Sequence, residues 1–382
     1  MKRTYLNLFI FLFIVLGCQK YESQLIDSSV NNLVIDSRFS VEIFASDIDS
    51  PRQMAEDSEG RIYVGSRRSG DIFALIDSDN NGQVDEKILI ANNLTFATGI
   101  SIFDGDLFFS EINKIWKIEN INSYFHSDLK ILPEKILVTS DLPSDEWHGW
   151  KWIKHDKNGD LYTNVGAPCN VCLEEDKRYA TILRLNDGSW DFVARGVRNS
   201  VGFDFHPSSE KLFFTDNGRD WLGDDSPSCE LNRVDEDGSF YGFPFKHATN
   251  VVDPEFGNIN SGFKFIDPIL ELGAHVAPTG IAFYDGIMFP KEFHENLFIT
   301  LHGSWNSSQK VGYKLIRVIL NEAGDVEASE DFITGWLDST IDENGNILET
   351  VLGRPSAPFI MSDGSMLISD DKANLIYRVV LK

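Results

Sequence analysis

The segment EWHGWKWIKHDKNGDLYTNVG, residues 146–166, sets His148 among three indoles, Trp147, Trp150 and Trp152. A histidine desolvated by such neighbours stays neutral near pH 7 and can accept a proton as a general base. Strand-like alternation would turn Trp150 and Trp152 to the same side as His148. Taken alone, these residues fit a packed core histidine at least as well as a catalytic one. Further along, ARGVRNSVGF (194–203) carries Arg195, Arg198 and Asn199 around Gly196. Arginine recognises planar carboxylates through two parallel N–H bonds, and asparagine offers both a donor and an acceptor. Together with Asp216-Asn217-Gly218-Arg219-Asp220 and Gly353-Arg354-Pro355, these cations suit either a planar anionic ligand or salt bridges to the chain's many acids.

One pattern recurs and must position these residues. A Gly/Asp turn leads into a short apolar strand, a polar loop and a second strand. The copies are 58–75, 103–118, 157–166 with 180–185, 209–220 with 229–234, 294–306 with 313–318, and 362–379. Further strand candidates at 97–103, 199–207, 278–286 and 356–364 run into the next turn. Long amphipathic helical patterns are absent. Repeats of this period built from strands predict an all-β chain, a six-bladed β-propeller over residues 34–382, with sheet edges protected by closure of the ring. In that architecture the loops after equivalent strands share one mouth of the central channel. They carry Arg67 and Arg68, Glu111, Asn164–Gly166, Asp216–Arg219, His302-Gly303 and Asp370-Asp371.

Between blades one and two, Asp77, Asp79, Asn81, Gly82 and Asp85 or Glu86 resemble a calcium loop, with oxygen ligands at alternate positions and a glycine at the sixth. The acid spacing is shorter than in an EF-hand, but these residues are expected to hold a calcium ion between the blades, with a plain acidic turn as the alternative. The formal net charge of −25 opposes binding to phosphate backbones, which excludes nucleic acid as a partner.

At the N-terminus, Lys2 and Arg3 precede an apolar run from Leu6 to Leu16 that is too short to span a bilayer and reads as a signal peptide, residues 1–17. Val15-Leu16-Gly17-Cys18 resembles a bacterial lipobox, so Cys18 is expected to be acylated and residues 18–33 to form a tether. The chain is then exported and anchored facing the periplasm, with Gln19 pointing to the outer membrane. Of Cys169, Cys172 and Cys229, two are expected to pair in an oxidising compartment, with a local disulfide favoured over a zinc site.

His148 with GDLYTNVG, then ARGVRNSVGFDFHP, DNGRDWLGDD, SFYGFP, HVAPTGIAFYDG, HGSWN and GRPSAPFIMSDGSMLISDD, resemble the glucose/sorbosone dehydrogenase family. The likeness is to the soluble quinoprotein sugar dehydrogenases, in the sorbosone and fungal pyranose dehydrogenase branch, and runs from Pro51 to Arg378. It implies a propeller binding pyrroloquinoline quinone (PQQ) and calcium, oxidising an aldose or related aldehyde, and passing electrons to a separate acceptor. By position it implies His148 as general base, Arg198 and Asn199 as quinone contacts, and Arg354 and Arg67 near the cofactor carboxylates. The backbone carbonyls of Gly218 and Arg219 match calcium ligands. Two positions depart from the family. His302 stands where a lysine is expected and is assigned that cofactor contact. Trp147 replaces the acid before the base, leaving Asp145 or Glu146 to orient it. A calcium-dependent lactonase and a non-catalytic binding propeller are the alternatives.

Overall fold

A computed structural model describes residues 30–126 and 131–382. Each predicted hairpin forms the middle of an antiparallel four-stranded meander, and six such sheets make the propeller. Their innermost strands are Pro51–Glu56, Ile100–Phe103, Ile153–His155, Phe203–Phe205, Pro278–Phe283 and Pro355–Ile360. The second strands Ile62–Ser66, Leu161–Val165, Leu212–Asp216, Leu297–Leu301 and Met366–Asp370 are buried at every position. Blades cover both faces of these strands, which is why their apolar residues are consecutive rather than alternating, and the polar residues at their ends, such as Asn164, Asp216 and Asp370, are buried as well.

The ring closes through its ends. Phe39–Ala45 is the outer strand of the last blade, in register from Phe39 opposite Leu381 to Ala45 opposite Ile376. The chain is thereby joined to itself, the N-terminal strand completing the sheet that the C-terminal strands begin. Just before, Val34–Ile35 adds to the edge of blade five, with Val34 opposite Thr334. Val30 and Leu33 pack on the phenylalanine-rich core there, so the expected tether ends before Val30 rather than at residue 33. The signal segment, Cys18 and the rest of the tether lie outside the described residues.

The wide spacing of the later repeats has a local cause. Small hairpins are inserted at Lys246–His247/Val251–Val252 and at Leu337–Ile341/Ile347–Val351. Cys169 and Cys172 form the local disulfide, and Cys229 is free and buried.

Candidate active site

The second strand of every blade ends at the same mouth, where the connector from blade two to blade three also arrives. That connector carries His148 at φ 54°, a left-handed backbone that side chains seldom adopt. Residues 146–152 are not extended, and the strand begins at Ile153. The alternation expected of them therefore fails. Trp150 shares a cavity wall with His148, whereas Trp152 turns into the core and donates its indole N–H to the Phe203 carbonyl at 2.9 Å. Gly166 is required opposite: a Cβ there would lie 2.6 Å from the His148 Cβ.

His148 Nδ1 lies 2.8 Å from the Ala167 carbonyl. A carbonyl only accepts, so the proton is on Nδ1 and the lone pair is on Nε2. The indole N–H of Trp147 donates to that lone pair at 3.0 Å. Burial, and then the nearby Arg198 guanidinium, push His148 down to about 3. Neither acid expected to orient the ring does so. Asp145 receives the Tyr179 hydroxyl, and Glu146 is exposed; the backbone of Ala167 orients the imidazole instead.

The cavity holds about 330 Å³ and is lined by His148, Trp150, Arg198, Asn199, Gly218 and Asp220, with Trp147 and Trp305 at its rim. Arg198 is buried and well partnered. Its Nε donates to the Asn170 carbonyl at 2.8 Å, and its Nη2 to Asn170 Oδ1 at 2.9 Å and Asp220 Oδ2 at 3.0 Å. The Arg198 and Asn199 amides both donate to Asp216, at 2.8 and 2.6 Å, which fixes the turn that presents them. Asn199 Oδ1 is buried without a hydrogen-bond partner among the described residues. A buried acceptor left open on a cavity wall is a place for a ligand donor.

Arg67, His302 and Arg354 are not in this wall. They form a second cluster beside Trp150, centred on Asp371. Arg52 donates to Asp371 at 2.5 Å, His302 Nε2 lies 2.8 Å from it, and Arg67 approaches to 3.9 Å. Arg67 also stacks 3.8 Å above the Trp150 ring. Arg354 donates to the carbonyls of His302 and Gly303. Burial, then the charge of Arg52, lower Arg67 to about 10, and burial lowers His302 to about 4. Burial would raise Asp371, but Arg52, His302 and Arg354 outweigh it and hold the carboxyl far below its usual range. Three guanidiniums around one ionised carboxylate leave a positive excess at the mouth of an acidic protein. His302 is thus a partner of Asp371, and Arg354 braces the loop that carries it.

Of the expected calcium ligands, Gly218 borders the cavity. The Arg219 side chain turns away to Asp253, at 2.5 Å, and Glu255, at 3.1 Å. The 77–85 loop lies elsewhere. It joins the third and outer strands inside blade one, not blades one and two, and the meander carries it to the face opposite the mouth. There oxygens of Asp77, Asp79 and Asp85 lie within 4.8 Å of one another. Asn81 lies in the same turn, its N–H donating to Asp77 and Asp79 and its amide oxygen accepting the Gln83 N–H at 2.8 Å. Glu111, at the mouth, is used internally by Thr95 and Trp116.

Two groups here, Lys151 and Glu230, were not singled out by sequence reasoning. Lys151 is buried, donates to the Gly149 carbonyl at 2.6 Å and is lowered to about 7 by burial. Asp220 ties Arg198 to Asn306, whose Nδ2 reaches Asp220 Oδ1 at 2.6 Å. Glu230 pairs across the strands with Asp216. Burial raises both carboxyls, while the Asn199 and Arg198 amides hold Asp216 the lower, so the proton rests on Glu230. A carboxyl whose folded value is raised adds nothing unfavourable below its unfolded value and costs stability as pH climbs towards the folded one. Heating scans between pH 5 and pH 9 should therefore show the parent losing more Tm than Glu230→Gln. Parallel losses in the two proteins would contradict the buried proton.

The profile of the family described as TrAA12-like matches residues 33–381. An uncharacterized protein of Borreliella burgdorferi is 37% identical over 360 residues, spanning 91% of this chain and 91% of its own. A calcium structure of the Trichoderma reesei Carbohydrate-Active Enzymes Family AA12 protein superposes with a TM-score of 0.73 at 18% identity, over 92% of this chain and 97% of that one. The holo form of the pyranose dehydrogenase PQQ domain from Coprinopsis cinerea gives a TM-score of 0.72 at 17% identity, over 91% and 97%. These two likenesses establish the six-bladed propeller.

Proposed function

The chain belongs to the TrAA12-like family, and from that premise we propose that it is a PQQ-dependent sugar dehydrogenase with His148 as its general base. The observation that carries this reading is the meeting, in one cavity, of a neutral His148 and an Asn199 acceptor without a partner, beside the Arg198 cation. A planar tricarboxylate quinone suits that set: an open acceptor for its ring N–H, positive charge for its carboxylates, and room in the cavity. Arg198 and Asn199 would hold it, with the Arg67, Arg52 and Arg354 cluster supplying further positive charge. Calcium would sit on the backbone carbonyls of Gly218 and Arg219, and a second ion in the 77–85 loop. When bound, PQQ supplies the electrophile that takes hydride from the sugar.

The protein's own part is proton removal. The Ala167 carbonyl fixes the His148 tautomer, so Nε2 is the basic atom and the sugar hydroxyl is its proton source. Buried beside the Arg198 cation, His148 is a weak base. An anionic ligand beside Arg198 offsets that charge and moves the imidazole back towards a useful range. Trp147 must leave Nε2 before a hydroxyl can replace it. Its hydrogen bond stabilises the neutral ring, so in Trp147→Phe the imidazole should titrate at higher pH than in the parent. Long-range proton–nitrogen NMR reads this directly, and an unmoved titration would remove Trp147 from the proton's path.

The signal segment and Cys18 support a lipid-anchored enzyme facing the periplasm and handing electrons to a separate acceptor. The deciding experiment is titration of the protein with PQQ and calcium, followed by sugar-dependent bleaching of an artificial dye. Calcium-dependent uptake with dye reduction supports the dehydrogenase. Absence of uptake would sink it and return the lactonase and binding-protein readings.

A further inference from the structure

Three tryptophans stand at the mouth with most of their surface in water: Trp147 is 56%, Trp221 69% and Trp305 66% exposed. Leaving three indoles unburied forgoes a large apolar gain, and a cluster of them marks a binding surface. Trp147 and Trp305 form the rim of the His148 cavity. Trp221 stands beyond that wall and meets Trp305 edge-on, with ring centroids 5.6 Å apart and planes at 90°.

The loops that present them are held in place. Asn306, next to Trp305, is bonded to Asp220, and Ser308 N–H donates to Asp224 Oδ1 at 3.1 Å. His275 Nε2 reaches the Gly223 carbonyl at 2.7 Å, just after Trp221. The indoles are therefore preorganised, and binding need not order them. With Asp220 paired to Arg198, the free charge beside the outer indoles is acidic, from Glu146 and Asp224, in a chain of net charge −25. Such a surface disfavours anionic ligands. A pyranose fits it: the ring's C–H face lies against an indole, and its hydroxyls meet carboxylate and amide acceptors.

We propose that this rim is a carbohydrate platform that engages a second sugar ring outside the cavity, so that the substrate is the end of a neutral oligosaccharide. The proposal rests on the sugar-dehydrogenase reading for the ring at His148. Trp305 serves the inner ring, and Trp221 the next ring outward.

The test uses the full chain without cofactor, with calorimetry and indole fluorescence as readouts. The probes are glucose, cellotetraose and maltotetraose, with tetragalacturonate as the charged comparison. One neutral tetrasaccharide should bind about five- to tenfold more tightly than glucose, and Trp221→Ala should remove most of that advantage. Equal affinities, an advantage that survives Trp221→Ala, or preference for tetragalacturonate would each overturn the platform. Dye reduction by the PQQ-loaded protein separates the two readings. Oxidation of monosaccharides without length dependence sinks the platform alone. Trp221-dependent tetrasaccharide binding without any oxidation sinks the dehydrogenase alone.

Discussion

Replacing His148 by asparagine should lower kcat for dye-coupled sugar oxidation by roughly 10²–10⁴-fold, the range for loss of a general base, while PQQ and calcium uptake stay near the parent's. Asparagine is the informative choice for two reasons. It accepts the left-handed backbone at φ 54° better than most residues. Its amide N–H can also replace the imidazole donor to the Ala167 carbonyl. What it lacks is a basic lone pair. The fall should sit in kcat, with KM little changed, because the lost contact matures only as the proton moves. The pH dependence should change as well. In the parent, activity requires neutral His148, and burial with Arg198 depresses its titration, so the acid limb belongs to the imidazole and should vanish in the variant. A kcat within tenfold of the parent, or an unchanged acid limb, would remove His148 from the chemistry and leave it a packed histidine.

The hairpins were legible because each is local in the chain and carries its own turn residues and apolar run. The Arg198-Asn199 pair was legible for a similar reason: both residues leave one turn, fixed by Asp216 at the end of the neighbouring strand. What escaped depends on ring closure. The Phe39–Ala45 strand gains its meaning from a partner more than 300 residues away. The same holds for the grouping of cations, since Arg52, Arg67, His302, Arg354 and Asp371 come from blades one, five and six. A ring of loops suggests that all of them face one ligand. The structure divides them at Trp150 into a cavity wall and a supporting cluster, because Asp371 collects three of these groups before any ligand can. The indoles misled in the opposite direction. Alternation turned Trp152 towards the site, but the connector is irregular up to Ile153. Burial then decided: Trp152 found the Phe203 carbonyl, while Trp147 remained in solvent over the lone pair of the base.

Arg198→Ala should unbalance this site more widely than any other single change. The guanidinium is buried, with its side chain 4% exposed, and satisfies Asn170, Asn217 and Asp220 together. Truncation leaves the Asn170 and Asn217 carbonyls without that donor and the Asp220 carboxylate, which is 13% exposed, with Asn306 but without its cation. Breaking such a pair from one side costs about 3–5 kcal/mol, a fall in Tm of roughly 4–6 °C for a chain of this size. Calorimetry should show that loss without PQQ present. In the same variant His148 should titrate at higher pH, because one of the charges depressing it is gone. PQQ uptake should fall below detection, since its carboxylates lose the cation on the cavity wall. Arg198→Lys separates folding from recognition. It keeps the charge near His148 but cannot span Asn170 and Asp220 with a planar fork, so it should recover part of the stability and little of the PQQ affinity. Were Arg198→Lys to bind PQQ as the parent does, Arg198 would be a structural tie between the loops of blades three and four, and recognition of the quinone would pass to Asn199 and the Arg67 cluster.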